Sequence, residues 1–256
     1  MATIAITGSA GGIGAATCER LEQDGHTVIG VDIRDADVEV DLSTSEGRAA
    51  MVEGVTAATD GVLDGLVAAA GLLGGDGPTV VSVNHFGAVA TLEGLRPLLE
   101  RGTSPSAVAI SSNSTTTFPD LPTELAERCL AGDEDGARAA ATGVDPVAVY
   151  PATKLALARW VRRAAVTEAW VGSGIRLNAV APGFIATPMT KGTEDFVLGL
   201  GDVYPVPQRR AGQPEEVAGL LAYLLSPEAA FFCGSVVFMD GGTDAALRPD
   251  RPDPKP

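Results

Sequence analysis

Thr7-Gly8-Ser9-Ala10-Gly11-Gly12-Ile13-Gly14 is the stretch on which the reading turns. It follows a short β-branched run, Thr3 to Thr7, and leads into a helical pattern from Gly12 to Asp24. Glycines at a strand-to-helix junction let the backbone approach a pyrophosphate closely. The first turn of the helix adds unpaired N–H groups and the positive end of its dipole. The spacing Gly8-x3-Gly12-x-Gly14 serves the same mechanics as the commoner Gly-x-Gly-x-x-Gly turn.

Asp32 ends the next candidate strand, 18 residues after Gly14, where a carboxylate accepts hydrogen bonds from adenosine ribose hydroxyls. The same charge repels a 2′-phosphate; at about 4 Å and an effective dielectric near 20, two like charges cost on the order of 4 kcal/mol. NAD is therefore favoured over NADP. Arg34, two residues on, keeps the second cofactor open, because a guanidinium can pair with a 2′-phosphate.

Outward from this turn, short apolar runs alternate with Ala/Leu-rich stretches of helical period, the pattern of a parallel sheet covered by helices. The candidate strands are Thr3 to Thr7, Thr27 to Asp32, Val38 to Asp41, Leu63 to Ala70, Ala107 to Ser111, Ile175 to Ala181 and Ser235 to Asp240. The candidate helices are Gly12 to Asp24, Ser45 to Thr59, Thr79 to Arg101, Pro151 to Gly172 and Pro214 to Leu225. Residues from about Thr117 to Val147, with Pro119, Pro122, Pro146 and the acids Asp133, Glu134 and Asp135, read as an excursion from the sheet. A short amphipathic helix in Leu121 to Ala131 is expected within it, and a solvated surface insertion is the plain alternative.

Composition excludes several function classes. With 18 Lys+Arg against 33 Asp+Glu and a net charge of −15, the 256-residue chain lacks the clustered cations that nucleic acid or an anionic membrane requires. Cys18, Cys129 and Cys233 lack metal-ligand spacing and read as small core residues of a reducing compartment, so no metal is expected. No apolar run reaches the roughly 18 residues of a membrane span, and the N-terminus lacks a charged signal region. A cytoplasmic location is expected.

The sharpest chemical signal is Tyr150-x3-Lys154, two side chains on one helical face. A free tyrosine titrates near 10, too high for a base at neutral pH, and a nearby ammonium stabilises the phenolate. Pro151 fits if it lies in the first turn of that helix. The fifth strand ends Ile110-Ser111-Ser112, where a hydroxyl can hold a substrate oxygen at the sheet's carboxyl edge. Asn84 falls within a helical pattern, where asparagine is unfavourable unless its amide has a buried partner.

Taken in order, Thr7-Gly8-x3-Gly12-x-Gly14, Asp41-Leu42, Ala70-Gly71, Asn84, Ser112, Tyr150-x3-Lys154, Asn178 and Pro182-Gly183-x3-Thr187 resemble the short-chain dehydrogenase/reductase family from Thr3 to about Pro249. The resemblance implies an α/β fold: a single Rossmann-type, doubly wound parallel sheet of about seven strands, order 3-2-1-4-5-6-7, with helices on both faces. One NAD-binding catalytic domain would span residues 1–247, with the insertion at about 117–147 and a substrate loop at about 188–204. Residues 248–256, proline-rich, would form an extended or disordered tail.

By the same resemblance, Tyr150 is the general acid/base and Ser112 binds the reacting oxygen. Lys154 lowers the Tyr150 pKa and holds the nicotinamide ribose, and Asn84 holds a water in a proton relay. Gly8, Gly12, Ile13, Gly14, Asp32, Asp41, Leu42, Ala70, Gly71, Pro182, Gly183, Ile185 and Thr187 complete the cofactor set. One departure is Ala68-Ala69-Ala70-Gly71 where the family has Asn-Asn-Ala-Gly, which removes side-chain hydrogen bonds from the cofactor shelf.

Asp32-Ile33-Arg34-Asp35-Ala36, Asp41-Leu42-Ser43-Thr44, Val81 to Ala88, Gly241 to Ala245 and the long gap from Ser112 to Tyr150 narrow the resemblance to the bacterial 3α-hydroxysteroid dehydrogenase/carbonyl reductase subgroup. The implied substrate is a hydroxysteroid, or an apolar ketone or aldehyde, and the implied assembly a homodimer or homotetramer. Phe196, Leu198 and Leu200 would suit an apolar lid or ordinary loop packing. The rival readings are a non-catalytic NAD sensor of this fold, a dehydrogenase of another small alcohol, and a methyltransferase, which has no use for Tyr-x3-Lys.

Overall fold

The computed structural model describes residues 1–251. Seven strands are present: β1 (Thr3–Thr7), β2 (Thr27–Asp32), β3 (Val38–Glu39), β4 (Gly65–Ala68), β5 (Ser106–Ile110), β6 (Arg176–Pro182) and β7 (Val236–Met239). They form one parallel sheet in the order β3-β2-β1-β4-β5-β6-β7. The order reverses between β1 and β4, so the carboxyl ends of these two strands flank a crevice, the place where such sheets bind ligands.

Successive side chains point to opposite sides, and in β1, β4, β5 and β6 nearly all of them are buried, so helices cover both faces of the sheet's centre. On one side Ala5, Leu66, Ala68, Ala107, Ala109, Leu177 and Ala179 meet α2 (Ser45–Ala58), a helix over Ala88–Leu99 and one over Pro146–Ala164. On the other, Ile4, Ile6, Val67, Val108, Ile110 and Val180 meet α1 (Gly12–Gln23) and the helix Pro214–Leu225. The sheet thus shows mostly small residues to one helical layer and branched ones to the other.

The expected helix from Thr79 to Arg101 is three pieces: α3 (Gly77–Val81), a π-helical turn Ser82–Gly87, and α4 (Ala88–Leu99). Single π turns inside helices frequently mark functional sites. Gly87 packs closely there, since a Cβ would lie 3.2 Å from both Cβ and O of Leu42, tighter than most such contacts.

After β5 come α5 (Ser114–Thr117), α6 (Thr123–Leu130), α7 (Glu134–Ala141) and α8 (Pro146–Ala164). The helix expected from Pro151 to Gly172 therefore begins five residues earlier, at Pro146, with Asp145 accepting from Val147 N at 2.9 Å. Asp-Pro is a cap followed by a proline at the first helical position. Pro151 consequently lies inside the helix, not in its first turn. The helix stops at Ala164, and a separate 3-10 turn occupies Val171–Ser173.

The insertion is not a solvated excursion. Leu125, Ala126 and Cys129 of α6 and Ala137 and Ala141 of α7 are buried with Val80 and Val81 of α3 and Val149, Ala152 and Ala156 of α8. The strong amphipathic spacing of both short helices explains this third cluster. The chain closes with α9 (Glu194–Leu198), α10 (Pro214–Leu225) and α11 (Thr243–Leu247). Of the expected tail, residues 252–256 lie outside the described residues.

Candidate active site

A cavity of about 710 Å³ opens at the carboxyl edge of the sheet, within the size range of small-molecule sites. Gly8, Gly12, Ile13, Gly14, Asp32, Asp41, Leu42, Ala70, Gly71, Ser112, Tyr150, Lys154, Pro182, Gly183, Ile185 and Thr187 all line it. Asn84 does not.

Main chain builds one end. Gly8 donates from its N to Val31 O at 2.8 Å with φ +75°, and a Cβ on it would meet Ala70 N at 2.8 Å. On Gly14 a Cβ would meet Gly8 O at 2.0 Å. The turn can close this tightly only with glycine. The N-terminus of α1 has Gly11 at its cap and no side chain accepting from it, so its first N–H groups face the cavity without a side-chain acceptor. Asp32 is fixed by Ala10 N at 3.0 Å and Ile33 N at 2.7 Å, while Arg34 is 82% exposed and lies 4.0 Å from Asp35. These are the residues a dinucleotide requires: a cradle that any Cβ would fill, free N–H donors, and a carboxylate at the end of β2. The shelf that lacks asparagines is held instead by Thr7 Oγ1, which accepts from Ala70 N at 3.3 Å.

Side chains build the other end. Ser112 follows β5, and its Oγ accepts from Ser114 N at 3.1 Å, which orients the hydroxyl. Lys154 lies one helical turn beyond Tyr150 on α8, its Nζ 5.7 Å from the centre of the Tyr150 ring and donating to Ile110 O at 2.8 Å. It is 3% exposed, and burial pushes its pKa down to about 8. Burial likewise pushes Tyr150 up to about 12, against the pull of Ser112 as a hydrogen-bond partner. The expected depression of Tyr150 by Lys154 is thus not what the chain's own groups produce: desolvation of the phenol outweighs its neighbours.

Asn84 has the buried partners that an asparagine inside a helical pattern needs. Its Oδ1 accepts from Leu72 N at 2.7 Å, and its Nδ2 donates to Leu72 O at 2.8 Å and Thr153 Oγ1 at 3.4 Å. Both ends of the amide are engaged on a strap that holds Leu72 in the cavity wall. Gly71 gives room for this, as a Cβ there would lie 3.3 Å from Asn84 Oδ1 and Lys154 Nζ.

Much of the remaining wall is apolar: Leu72, Leu73, Val83, Phe118, Val147 and Met189, with Leu200 from the expected lid and the unexpected Val197, while Leu198 does not line it. Phe196 instead faces out, 70% exposed. Val197 and Leu200 are three apart and share one face, which residue types alone could not single out. Asn113 and Tyr204 are polar lining residues that sequence reasoning did not name. Asn113 donates from Nδ2 to Tyr204 Oη at 2.9 Å and to Asp240 Oδ2 at 3.3 Å, fastening the segment after α9 to the residue next to Ser112. A polar residue directly after Ser112 was the available signal for Asn113, while nothing local marks Tyr204.

Comparison with known proteins agrees with this geometry. The family model described as short chain dehydrogenase matches residues 2–120, and that described as Enoyl-(Acyl carrier protein) reductase matches residues 136–244. The chain is 40% identical over 263 residues, 98% of its length and 100% of the relative's, to 3-alpha-hydroxysteroid dehydrogenase/carbonyl reductase of Comamonas testosteroni. It is 32% identical to cis-4-hydroxycyclohexanecarboxylate dehydrogenase of Sinomonas cyclohexanicum, covering 94% and 95% of the two chains. Among solved structures, the 3-alpha-hydroxysteroid dehydrogenase from Pseudomonas sp. B-0831 complexed with NADH superposes with a TM-score of 0.88 at 42% identity, covering 97% of this chain and 99% of that one.

Proposed function

Because this chain belongs to the short-chain dehydrogenase family, we propose that it uses NAD to interconvert a secondary alcohol and a ketone on an apolar, ring-type substrate such as a hydroxysteroid. The observation that carries this is the shared cavity: the glycine turn and Asp32 at one end, Ser112, Tyr150 and Lys154 at the other.

The site fits NAD through the cradle of Gly8, Gly12 and Gly14, the N–H groups of α1, and Asp32. The cofactor's contribution, when bound, is to take hydride from the carbinol carbon in oxidation and return it in reduction. The chain supplies the rest. Ser112 donates its hydroxyl hydrogen to the substrate oxygen. Tyr150, as phenolate, takes the alcohol proton in oxidation and, as phenol, returns a proton to the carbonyl oxygen in reduction. Lys154 Nζ, beneath the Gly71 shelf, adds positive charge beside that phenol and a donor for a ribose hydroxyl. Leu72, Val83, Phe118 and Val197 exclude water from the reacting carbon.

Asp32 with an outward-pointing Arg34 supports NAD over NADP. The reading includes a homodimer or homotetramer in the cytoplasm; no helix among the described residues is long and apolar enough to cross a membrane. The purified protein, incubated with NAD or NADP and a panel of 3α-hydroxysteroids, substituted cyclohexanols and short acyclic alcohols, tests it by absorbance of the reduced cofactor. Turnover of ring alcohols with NAD is expected. Turnover of none of the panel, or only with NADP, would remove the assignment of substrate class or of cofactor.

A further inference from the structure

Arg48 of α2 sits far from Tyr150 in the chain, outside every motif of the site, and is the most heavily engaged cation among the described residues with bonds to three separate elements. Its side chain is 12% exposed. Its Nε donates to Leu42 O at 2.8 Å, and one Nη2 hydrogen goes to Ser82 O at 3.0 Å. The two terminal nitrogens together grip both carboxylate oxygens of Glu134 at 2.7 Å each. Such a planar, two-pronged pair fixes orientation as well as distance.

The partners matter more than the count. Leu42, between Asp41 and Ser43, lines the cavity beside Asp32. Ser82 opens the π-helical turn, which carries Val83 of the cavity wall and Asn84 of the Leu72 strap. Glu134 is the first residue of α7 in the insertion. Arg138, one turn further along α7, donates to Ser82 Oγ, so the same π turn is held from two directions. Direct packing of Gly87 against Leu42 completes the contact between π turn and cofactor loop. No residue from Thr123 to Ala141 lines the cavity.

We infer that Arg48 and Glu134 are positioning residues that tie α7 and the π turn to the cofactor loop, so that binding of a dinucleotide at Leu42 is transmitted to α7, no residue of which lines the cavity. This rests on the dinucleotide reading of the cavity. A partly buried, doubly hydrogen-bonded pair of this kind is costly to break on one side only, because the remaining partner loses its counter-charge while still partly desolvated. Ordering of the cofactor loop therefore restrains Arg48, and Arg48 in turn restrains Glu134 and Ser82.

Hydrogen exchange of the full-length protein, read by mass spectrometry with and without saturating NADH and with no substrate present, tests this. In the unmodified protein, amides of 8–14 should slow on direct contact, and those of 82–88 and 134–141 should slow about threefold to tenfold, as expected for a modest coupling between sites. In Arg48→Met the slowing at 8–14 should persist while that at 134–141 disappears, and the dissociation constant for NADH should rise several-fold. Glu134→Ala, at a residue 30% exposed, should abolish the slowing at 134–141 as well, and it carries the test should Arg48→Met not fold. Protection at 8–14 with 134–141 unaffected in the unmodified protein overturns the linkage, as does full protection of 134–141 in either variant. A purely structural pair would lower the melting temperature and leave the NADH-induced difference intact. Absence of NADH binding altogether, seen at 8–14, would remove the dinucleotide reading first and the linkage with it.

Discussion

The two ends of the cavity are built from different materials. At the dinucleotide end the working atoms are main-chain N–H groups and the empty space beside glycines; at the substrate end they are side chains delivered from β5, α8, the π turn and α9. A backbone cradle leaves an imprint in a short stretch of sequence, because only glycine allows it. A wall assembled from several elements leaves none, because each contributing residue is an ordinary leucine, valine or phenylalanine until the fold selects which face turns inward.

That contrast fails most severely at Gly14. A Cβ there would sit 2.0 Å from Gly8 O, so Gly14→Val should abolish measurable NADH binding by fluorescence titration, whatever happens to substrate affinity. Retained binding would mean that the turn is not the cradle.

The next largest effect lies at the opposite end. Lys154→Met should lower kcat by about a hundredfold or more, as removal of a group that supports proton transfer does. It should also change how stability depends on pH. Lys154 has a folded pKa of about 8 against an ordinary lysine value of 10.5. Below pH 8 both folded and unfolded chains hold the proton, and the native state carries the full cost of burying it. Between 8 and 10.5 the native state has released its proton while the unfolded state has not, so stability rises with pH. Lys154→Met should thus be stabilised relative to the unmodified protein at neutral pH, by up to about 3 kcal/mol, an advantage that shrinks toward pH 10.5 in urea melts. Tyr150 acts in the opposite sense: with its folded pKa at about 12, its contribution is complete below pH 10 and is lost as pH climbs through 12.

Asp32→Ala should have a milder effect, narrowing the ratio of kcat/KM for NAD over NADP by about tenfold to a hundredfold, in line with a few kcal/mol of removed repulsion. An unchanged ratio would mean the carboxylate does not meet the ribose. The smallest effect separates two neighbours on α9. Val197→Asn should raise KM for an apolar substrate several-fold, whereas Phe196→Ala, on the outward face, should stay within about 0.5 kcal/mol in stability and leave KM unmoved.

Legibility in the sequence follows the same division. The seven strands were readable because apolar β-branched runs between turns have few alternatives, and β1 and β2 match their expected bounds residue for residue. The glycine turn, Asp32, Ser112 and Tyr150-x3-Lys154 were readable because each needs a particular residue type at a fixed place. The start of α8 was missed although Asp145-Pro146 announces it; reading Pro151 as a helix start obscured the better signal five residues earlier. The π turn was not legible at all, since Ser82 to Gly87 carries a helical apolar period and its contacts with Leu42 and Arg48 come from a distant part of the chain. The buried face of the insertion was hidden by its acidic residues. Glu134, which reads as a solvated charge, is held by Arg48 of α2, 86 positions away in the chain.

The proposed chemistry rests on a phenol that moves a proton beside a dinucleotide held by glycines, and Tyr150→Phe tests it most directly when turnover and NADH affinity are measured on the same preparation. Turnover of the ring alcohol should fall by about a thousandfold, within the range for loss of a general acid/base, while the dissociation constant for NADH changes less than about twofold. Turnover within about tenfold of the unmodified protein, with NADH still bound, would contradict it.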